Sequence, residues 1–209
     1  MLLDGLLPAV VAVAETRGDR PGTVLYAAER AVVARAVDTR RGEFAAVRHC
    51  ARTALRALGA APAPILPGER GAPLWPAGIV GSMTHCAGYR AAAVARARDI
   101  AALGIDAEPD EPLPEGVIDA VALPAERAAI GVLPPGPVCW DRLLFSAKEA
   151  VYKAWFPLAR RWLGFDDAAI DLHPSGAFHA RLRVNGPVDR FTGRWHAANG
   201  LIVTAIAAT

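Results

Sequence analysis

Phe145-Ser146-Ala147-Lys148-Glu149-Ala150-Val151-Tyr152-Lys153 lies at the centre of a helical pattern that begins near Trp140 and is expected to end before Pro157. Leu144, Ala147, Val151 and Trp155 recur at helical spacing and form one apolar stripe. Phe145, Tyr152 and Phe156 surround the face that holds Glu149 and Lys153. A helix that is apolar nearly all round is buried, and buried charges need partners or a metal. Glu149 as a metal ligand, with Lys148 and Lys153 as phosphate binders, meets that need. An ordinary surface pair between Glu149 and Lys153, one turn apart and worth roughly a few tenths of a kcal/mol, fits the same spacing.

Outward from this helix the pattern changes period. Residues 168–172, 178–184, 193–197 and 201–207 read as strands, with Gly176, Gly186 and the hairpin signal Asn199-Gly200 between them. Upstream, Pro109, Pro112 and Pro114 with acidic neighbours mark a linker or crossover. Before the linker the order repeats. A helix over 40–58 carries Phe44, Val47, Ala51, Ala54, Leu55 and Leu58, and strands over 79–83, 89–95 and 101–107 follow. Residues 2–14 read as an early strand. The expected fold class is α+β: two pseudo-symmetric halves, 1–108 and 109–209, each a long helix packed on a small antiparallel sheet. A ligand site is expected in the cleft between them.

With 209 residues, 53% of them hydrophobic, the chain can bury a substantial core. A formal net charge of +2 argues against nucleic acid as the main partner. Cys50, Cys86 and Cys139 are odd in number, far apart and without a CxxC pair, so reduced thiols are expected. The leading apolar stretch carries Asp4 and Pro8 and has no basic start, unlike a signal peptide. No apolar run reaches the roughly 18–20 residues that span a bilayer, and a cytoplasmic location with no membrane partner is the expectation.

Three further clusters carry chemistry. In Leu103-Gly104-Ile105-Asp106-Ala107-Glu108-Pro109, strand alternation sends Leu103, Ile105 and Ala107 to one side and Gly104, Asp106 and Glu108 to the other. Two carboxylates at a strand end suit Mg²⁺, which completes its shell with water and substrate phosphates; a solvated acidic end fits equally. Gly81-Ser82-Met83-Thr84-His85-Cys86 groups hydroxyls and an imidazole at a turn, able to bind phosphate but weak alone. Arg40, Arg41, Arg48 and Arg52 share a helical region as either a solvated basic face or a grip for a phosphorylated ligand. No GxxxxGK[ST] loop, GxGxxG, GxSxG or HExxH is present, so protein-based nucleophilic catalysis has no candidate.

The strand end 103–108 and the helix 145–153, in that order and about forty residues apart, resemble the paired signature of the 4'-phosphopantetheinyl transferase superfamily. The Ser-x-Thr-His-Cys segment and Trp75-Pro76 are similar to its siderophore-synthase branch, closest to the actinobacterial members. The resemblance implies a monomer with coenzyme A between the halves and Mg²⁺ or Mn²⁺ as metal. It implies transfer of phosphopantetheine from coenzyme A to a serine of apo acyl or peptidyl carrier proteins. It assigns Asp106, Glu108 and Glu149 to the metal, Lys148 and Lys153 to the pyrophosphate, and Thr84 and His85 to the 3'-phosphate end. Arg40, Arg48, Glu69 and Arg70 fall at its other coenzyme A contacts; Pro67 departs from a basic residue found in relatives. Glu149, Lys153 and Asp106 are the implied catalytic residues. Carrier docking is expected on Trp162, Leu163 and Phe165 beside the basic pair Arg160-Arg161, although these apolar residues could instead close the core. Another Mg²⁺-dependent phosphotransfer enzyme or a non-catalytic coenzyme A- or carrier-binding module are the rivals.

Overall fold

The structure is a computed structural model that describes residues 1–19, 22–136 and 138–209. Its elements run β1 (Ala12–Arg17), α1 (Ala27–Val32), α2 (Asp38–Ala57), β2 (Leu66–Pro67), β3 (Pro73–Leu74), β4 (Ile79–Cys86), β5 (Tyr89–Arg96) and β6 (Ala102–Pro109). They continue with α3 (Val117–Val121), α4 (Pro124–Gly131), α5 (Trp140–Ala159), β7 (Ala168–His173), β8 (Ala177–Leu182), β9 (Arg190–Ala198) and β10 (Leu201–Ala208). The result is the mixed α and antiparallel β arrangement expected. One sheet has the order β1-β5-β4, a second β6-β10-β9-β8-β7, and β2 pairs with β3. Among the described residues no helix is long and apolar enough to cross a membrane.

The two larger sheets meet over a shared core. Tyr89, Ala91, Ala93 and Ala95 of β5 pack with Leu103, Ile105 and Ala107 of β6 and with Leu201, Val203 and Ala205 of β10. Helix α2 covers the opposite face of the first sheet through Cys50, Ala51, Ala54 and Leu55. Helix α5 covers the second through Leu143, Leu144, Ala147, Ala150, Val151 and Trp155. The alternation in β6 is therefore realised: its aliphatic residues face the first sheet, and Gly104, Asp106 and Glu108 face α5. A Cβ on Gly104 would lie 2.0 Å from the Ala150 carbonyl oxygen, so glycine is what lets the helix backbone lie on the strand.

Strands β4 and β6 are neighbouring edges that share no backbone ladder in the sheet order. Side chains replace it. The Ile105 amide donates to Ser82 Oγ at 3.0 Å, and the Ala107 amide donates to Thr84 Oγ1 at 3.1 Å. The constant offset shows the strands running in the same direction. Two hydroxyls thus satisfy edge amides that would otherwise be buried without partners.

Three expectations differ from the structure. Residues 2–14 do not form one strand: the strand begins at Ala12, while the Leu2 and Leu3 amides bind the Glu15 carboxylate at 2.8 and 2.7 Å. Those leucines plug the shared core and need no ladder. Helix α5 passes Pro157 and stops at Arg160, whose φ is 49°. Pro157 removes one donor in the last turn, and the burial of Trp155 and Phe156 offsets that loss. Between the linker or crossover at 109–114 and Trp140 no element is expected, yet α3 and α4 lie there; Pro124 at the first turn of α4, and Glu126 accepting the Leu123 amide at 2.7 Å, are start signals in plain view.

Gly104→Ala should lower the unfolding free energy in urea by about 3 kcal/mol, because the added methyl meets helix backbone that cannot rotate away. Gly131→Ala in α4, where a Cβ meets nothing within 4 Å, should change it by less than about 1 kcal/mol.

Candidate functional site

The first half of α2, strand β4, the loop through Arg70 and the second half of α5 enclose a cleft of about 750 Å³. That is within the roughly 300–1,000 Å³ typical of small-molecule sites. Arg40, Arg48, Arg70, His85, Lys153 and Arg160 line it, with Glu69 and Glu149 as its acidic members. Cations outnumber anions, which favours a polyanionic ligand.

Asp106 forms the floor beneath this cleft. Its side chain is almost wholly buried and accepts three hydrogen bonds: Thr84 Oγ1 at 3.2 Å, Ser146 Oγ at 2.9 Å and Lys153 Nζ at 2.7 Å. Those donors come from β4 and from two places on α5, so one carboxylate ties both sheets and the helix. Thr204, opposite Asp106 in the β6–β10 ladder, donates to the Ser146 carbonyl at 3.0 Å and keeps Ser146 in place. Lys153 also donates to the Ile105 carbonyl at 3.1 Å. Two of its three donors are thereby used.

Glu149 lies one helical turn before Lys153 on the cleft side of α5. Burial, followed by the neighbouring Asp106 charge, raises its carboxyl above the usual range, and Lys153 acts against the rise. Glu108 is raised in the same way, first by burial and then by Asp106. Its carboxylate is bound by Arg142 Nη1 at 3.0 Å. Among the described residues no three His, Cys, Asp or Glu side chains converge as a ready-made metal cage. The donor chemistry nevertheless fits a hard divalent cation. Three carboxylates share one partly buried neighbourhood, and the Asp106 charge disfavours ionisation of the other two.

At the far end, Arg40 Nη1 lies 2.9 Å from His85 Nε2, and Glu43 sits 3.5 Å from both. Burial lowers the His85 pKa, and because a guanidinium can only donate, Nε2 is the acceptor from Arg40. Arg48 stacks 3.3 Å over the Phe44 ring and donates to the Ile65 carbonyl; burial pushes its pKa down to about 10 against the pull of Glu29. Arg70, at φ 51°, reaches across to Trp162, which in turn packs on Tyr152 at 5.0 Å between centroids.

The structure brings Arg40, Arg48, Glu69, Arg70, Thr84, His85, Glu149 and Lys153 to the cleft, with Asp106 under it. The Thr84 hydroxyl is already engaged by Asp106 and the Ala107 amide beneath the surface, so of the pair 84–85 only His85, exposed and held by Arg40, is placed to turn to a ligand. Lys148 is not there. It is buried on another face of α5, paired with Glu126 at 2.9 Å and donating to the Phe165 and Ala168 carbonyls. Helical geometry explains this, since five residues turn Lys148 about 140° away from Lys153. Leu163 is likewise buried in the core, Phe165 packs on Phe145, and only Trp162 of the three is exposed. Sequence reasoning gave no role to Ser146 or Arg142. Ser146, three residues before Glu149 in the quoted helix, was the one with a readable signal.

Comparison with known proteins is consistent with this geometry. Residues 28–95 match a family model described as the 4'-phosphopantetheinyl transferase N-terminal domain, and residues 102–206 match that of the 4'-phosphopantetheinyl transferase superfamily. The chain is 50% identical to the 4'-phosphopantetheinyl transferase PptT of Mycobacterium tuberculosis, over 98% of this chain and 97% of the relative. It is 58% identical to the 4'-phosphopantetheinyl transferase Svp of Streptomyces mobaraensis, over 90% and 80%. It is 47% identical to the 4'-phosphopantetheinyl transferase Npt of Nocardia iowensis, over 99% of each.

The electrostatics of the three coupled groups can be checked by carboxyl ¹³C NMR in metal-free buffer. Asp106→Asn should bring the Glu149 titration down towards the ordinary range by removing a neighbouring negative charge. Lys153→Met should move it further up. Equal titration in both variants would show that the three groups are not coupled.

Proposed function

This chain belongs to the 4'-phosphopantetheinyl transferase superfamily, and on that premise we propose how its cleft carries out the transfer for which its relatives are named. The enzyme moves the phosphopantetheine arm of coenzyme A to a serine hydroxyl of acyl and peptidyl carrier proteins. The observation that carries the assignment of roles is the juxtaposition of Glu149 and Lys153 on one helical face, with Asp106 beneath and an arginine-lined cleft beside them.

In this reading the carrier serine oxygen attacks the β-phosphorus of coenzyme A, and the bond to the bridging oxygen breaks to release 3',5'-ADP. Glu149, whose carboxyl burial raises above the usual carboxylate range, takes the serine proton directly or through a water. Lys153, held by Asp106 and the Ile105 carbonyl, offsets charge on the departing phosphate. Arg40, His85 and Arg48 hold the 3'-phosphate end, and Glu69 and Arg70 flank the opening. Asp106, Glu108 and Glu149 are the residues that would hold Mg²⁺, or Mn²⁺ in its place. Bound there, the ion would neutralise the pyrophosphate and polarise the reacting phosphoryl group. Two halves, 1–108 and 109–209, enclosing the coenzyme and working as a cytoplasmic monomer, complete the proposal.

Carrier docking belongs at the cleft mouth, on Trp162 and the exposed arginines Arg160 and Arg161. Carriers of this kind are acidic, so a basic rim speeds encounter while the indole provides an apolar contact.

Incubated with coenzyme A, Mg²⁺ and an apo carrier, the enzyme should add the mass of one phosphopantetheine, read by mass spectrometry. Folded enzyme that modifies none of several unrelated carriers would overturn the assignment. Asp106→Asn should remove turnover while the protein stays folded by circular dichroism. Near-normal activity at limiting Mg²⁺ would take Asp106 out of the metal site.

Arg160→Glu with Arg161→Glu should raise the KM for the carrier and leave the KM for coenzyme A nearly unchanged. The effect should fade at high salt, where surface attraction is screened. Wild-type KM values for both substrates at low salt would place the docking surface elsewhere.

A further inference from the structure

Lys148 belongs to the helix signature, yet its ammonium lies outside the cleft. It donates to the Phe165 carbonyl at 2.6 Å and the Ala168 carbonyl at 2.9 Å, and pairs with Glu126 at 2.9 Å. All three of its donors are accounted for. Glu126 is equally committed: its oxygens accept the Leu123 amide at 2.7 Å and the Ile170 amide at 2.6 Å. Both side chains are almost fully buried. The pair therefore joins α4, α5, the 3-10 turn Phe165–Asp167 and the start of β7 at one point. A buried charge so completely satisfied is costly to disturb on either side.

The turn that Lys148 grips follows directly on the segment that leaves α5 at Arg160. That segment carries Trp162, more than half exposed, to the cleft mouth, where Arg70 lies over its ring and Tyr152 packs beneath. Its far end is held by Phe165 against Phe145 and by the Gly164 amide on Asp167. Lys148 fixes where this segment re-enters the core.

We propose that Lys148 is a positioning residue. The buried Lys148–Glu126 pair is a strut that holds residues 160–167, and with them Trp162, at the cleft mouth for the incoming carrier protein, and it makes no contact with the phosphates. This rests on the transferase reading above and assigns Glu126, which lies outside the family signature, the same role.

A phosphate ligand and a strut respond differently to the same substitutions. Under the strut, Lys148→Met and Glu126→Gln share one phenotype. Trypsin cleavage after Arg160 and Arg161, located by mass spectrometry, accelerates about tenfold because the segment opens more often. The KM for the carrier rises about tenfold, while adenosine 3',5'-bisphosphate binds within about twofold of wild type, as neither side chain faces the anion site. If Lys148→Met alone proves too unstable, the double variant with Glu126→Gln leaves no unpaired charge and should be no more readily cleaved than the more affected single variant, since the two changes remove one interaction. The strut is overturned if Lys148→Met weakens bisphosphate binding about tenfold with a flattened salt dependence, as a lost phosphate contact would. It is also overturned if Glu126→Gln leaves cleavage and carrier KM at wild-type values, or if the two substitutions act additively. Wild-type enzyme that modified no carrier would overturn the transferase reading instead, and the cleavage and bisphosphate measurements would still decide the strut.

Discussion

One buried carboxylate joins the two sheets to the helix that works between them. Asp106 accepts from Thr84 on β4 and from Ser146 and Lys153 on α5, while its own strand pairs with β10. A charge in this position, with little access to water, is tolerable only because three donors converge on it. Each donor is thereby held as firmly as the acceptor. The site's geometry and the join between the sheets are thus the same set of contacts.

That constraint accounts for other features. Because β4 and β6 meet without a ladder, Ser82 and Thr84 must use their hydroxyls on β6 amides, and Thr84 has none left for a ligand. Because α5 must bring both Ser146 and Lys153 to Asp106, its backbone lies directly on β6, and position 104 has room for hydrogen alone. Lys153 is oriented by its strand and its carboxylate before any ligand arrives. Such pre-organisation favours a group meant to meet charge developing during reaction.

The arginines serve a different purpose from the carboxylates. Arg52 is buried and spent on Val24 and Glu29, stiffening the wall of α2, whereas Arg48, also buried, gives its Nε to the Ile65 carbonyl and still lines the cleft. Arg40 and Arg70 are exposed at the cleft, held there by His85 and Glu43 and by the Trp162 ring, contacts that a ligand at the surface can replace. Sequence spacing alone put these side chains in one basic face; burial divides them into wall and grip. Lys148 and Lys153 divide in the same way. Both belong to one signature, yet one serves the core and the other the cleft.

Much was legible in the chain itself. Helical spacing marked α2 and α5, since an apolar stripe has one use in water, and alternation told which side of β6 carried Asp106 and Glu108. The signature residues at 103–108 and 145–153 pointed to a family that the comparisons bear out. Local pattern could not say which sheet each strand joins. The tight turn after β5 looks local, but β6 pairs with β10, almost a hundred residues later. Nor could it tell that Glu126, in a stretch to which the pattern assigns no element, would hold Lys148, or that Thr84 would serve Asp106 more than a ligand. The reason is physical. Periodicity records how much of each side chain must leave water, a property of the residue and its neighbours along the chain. Which polar group satisfies which buried charge depends on the groups that distant strands and helices bring within about 3 Å, and only the folded chain decides that.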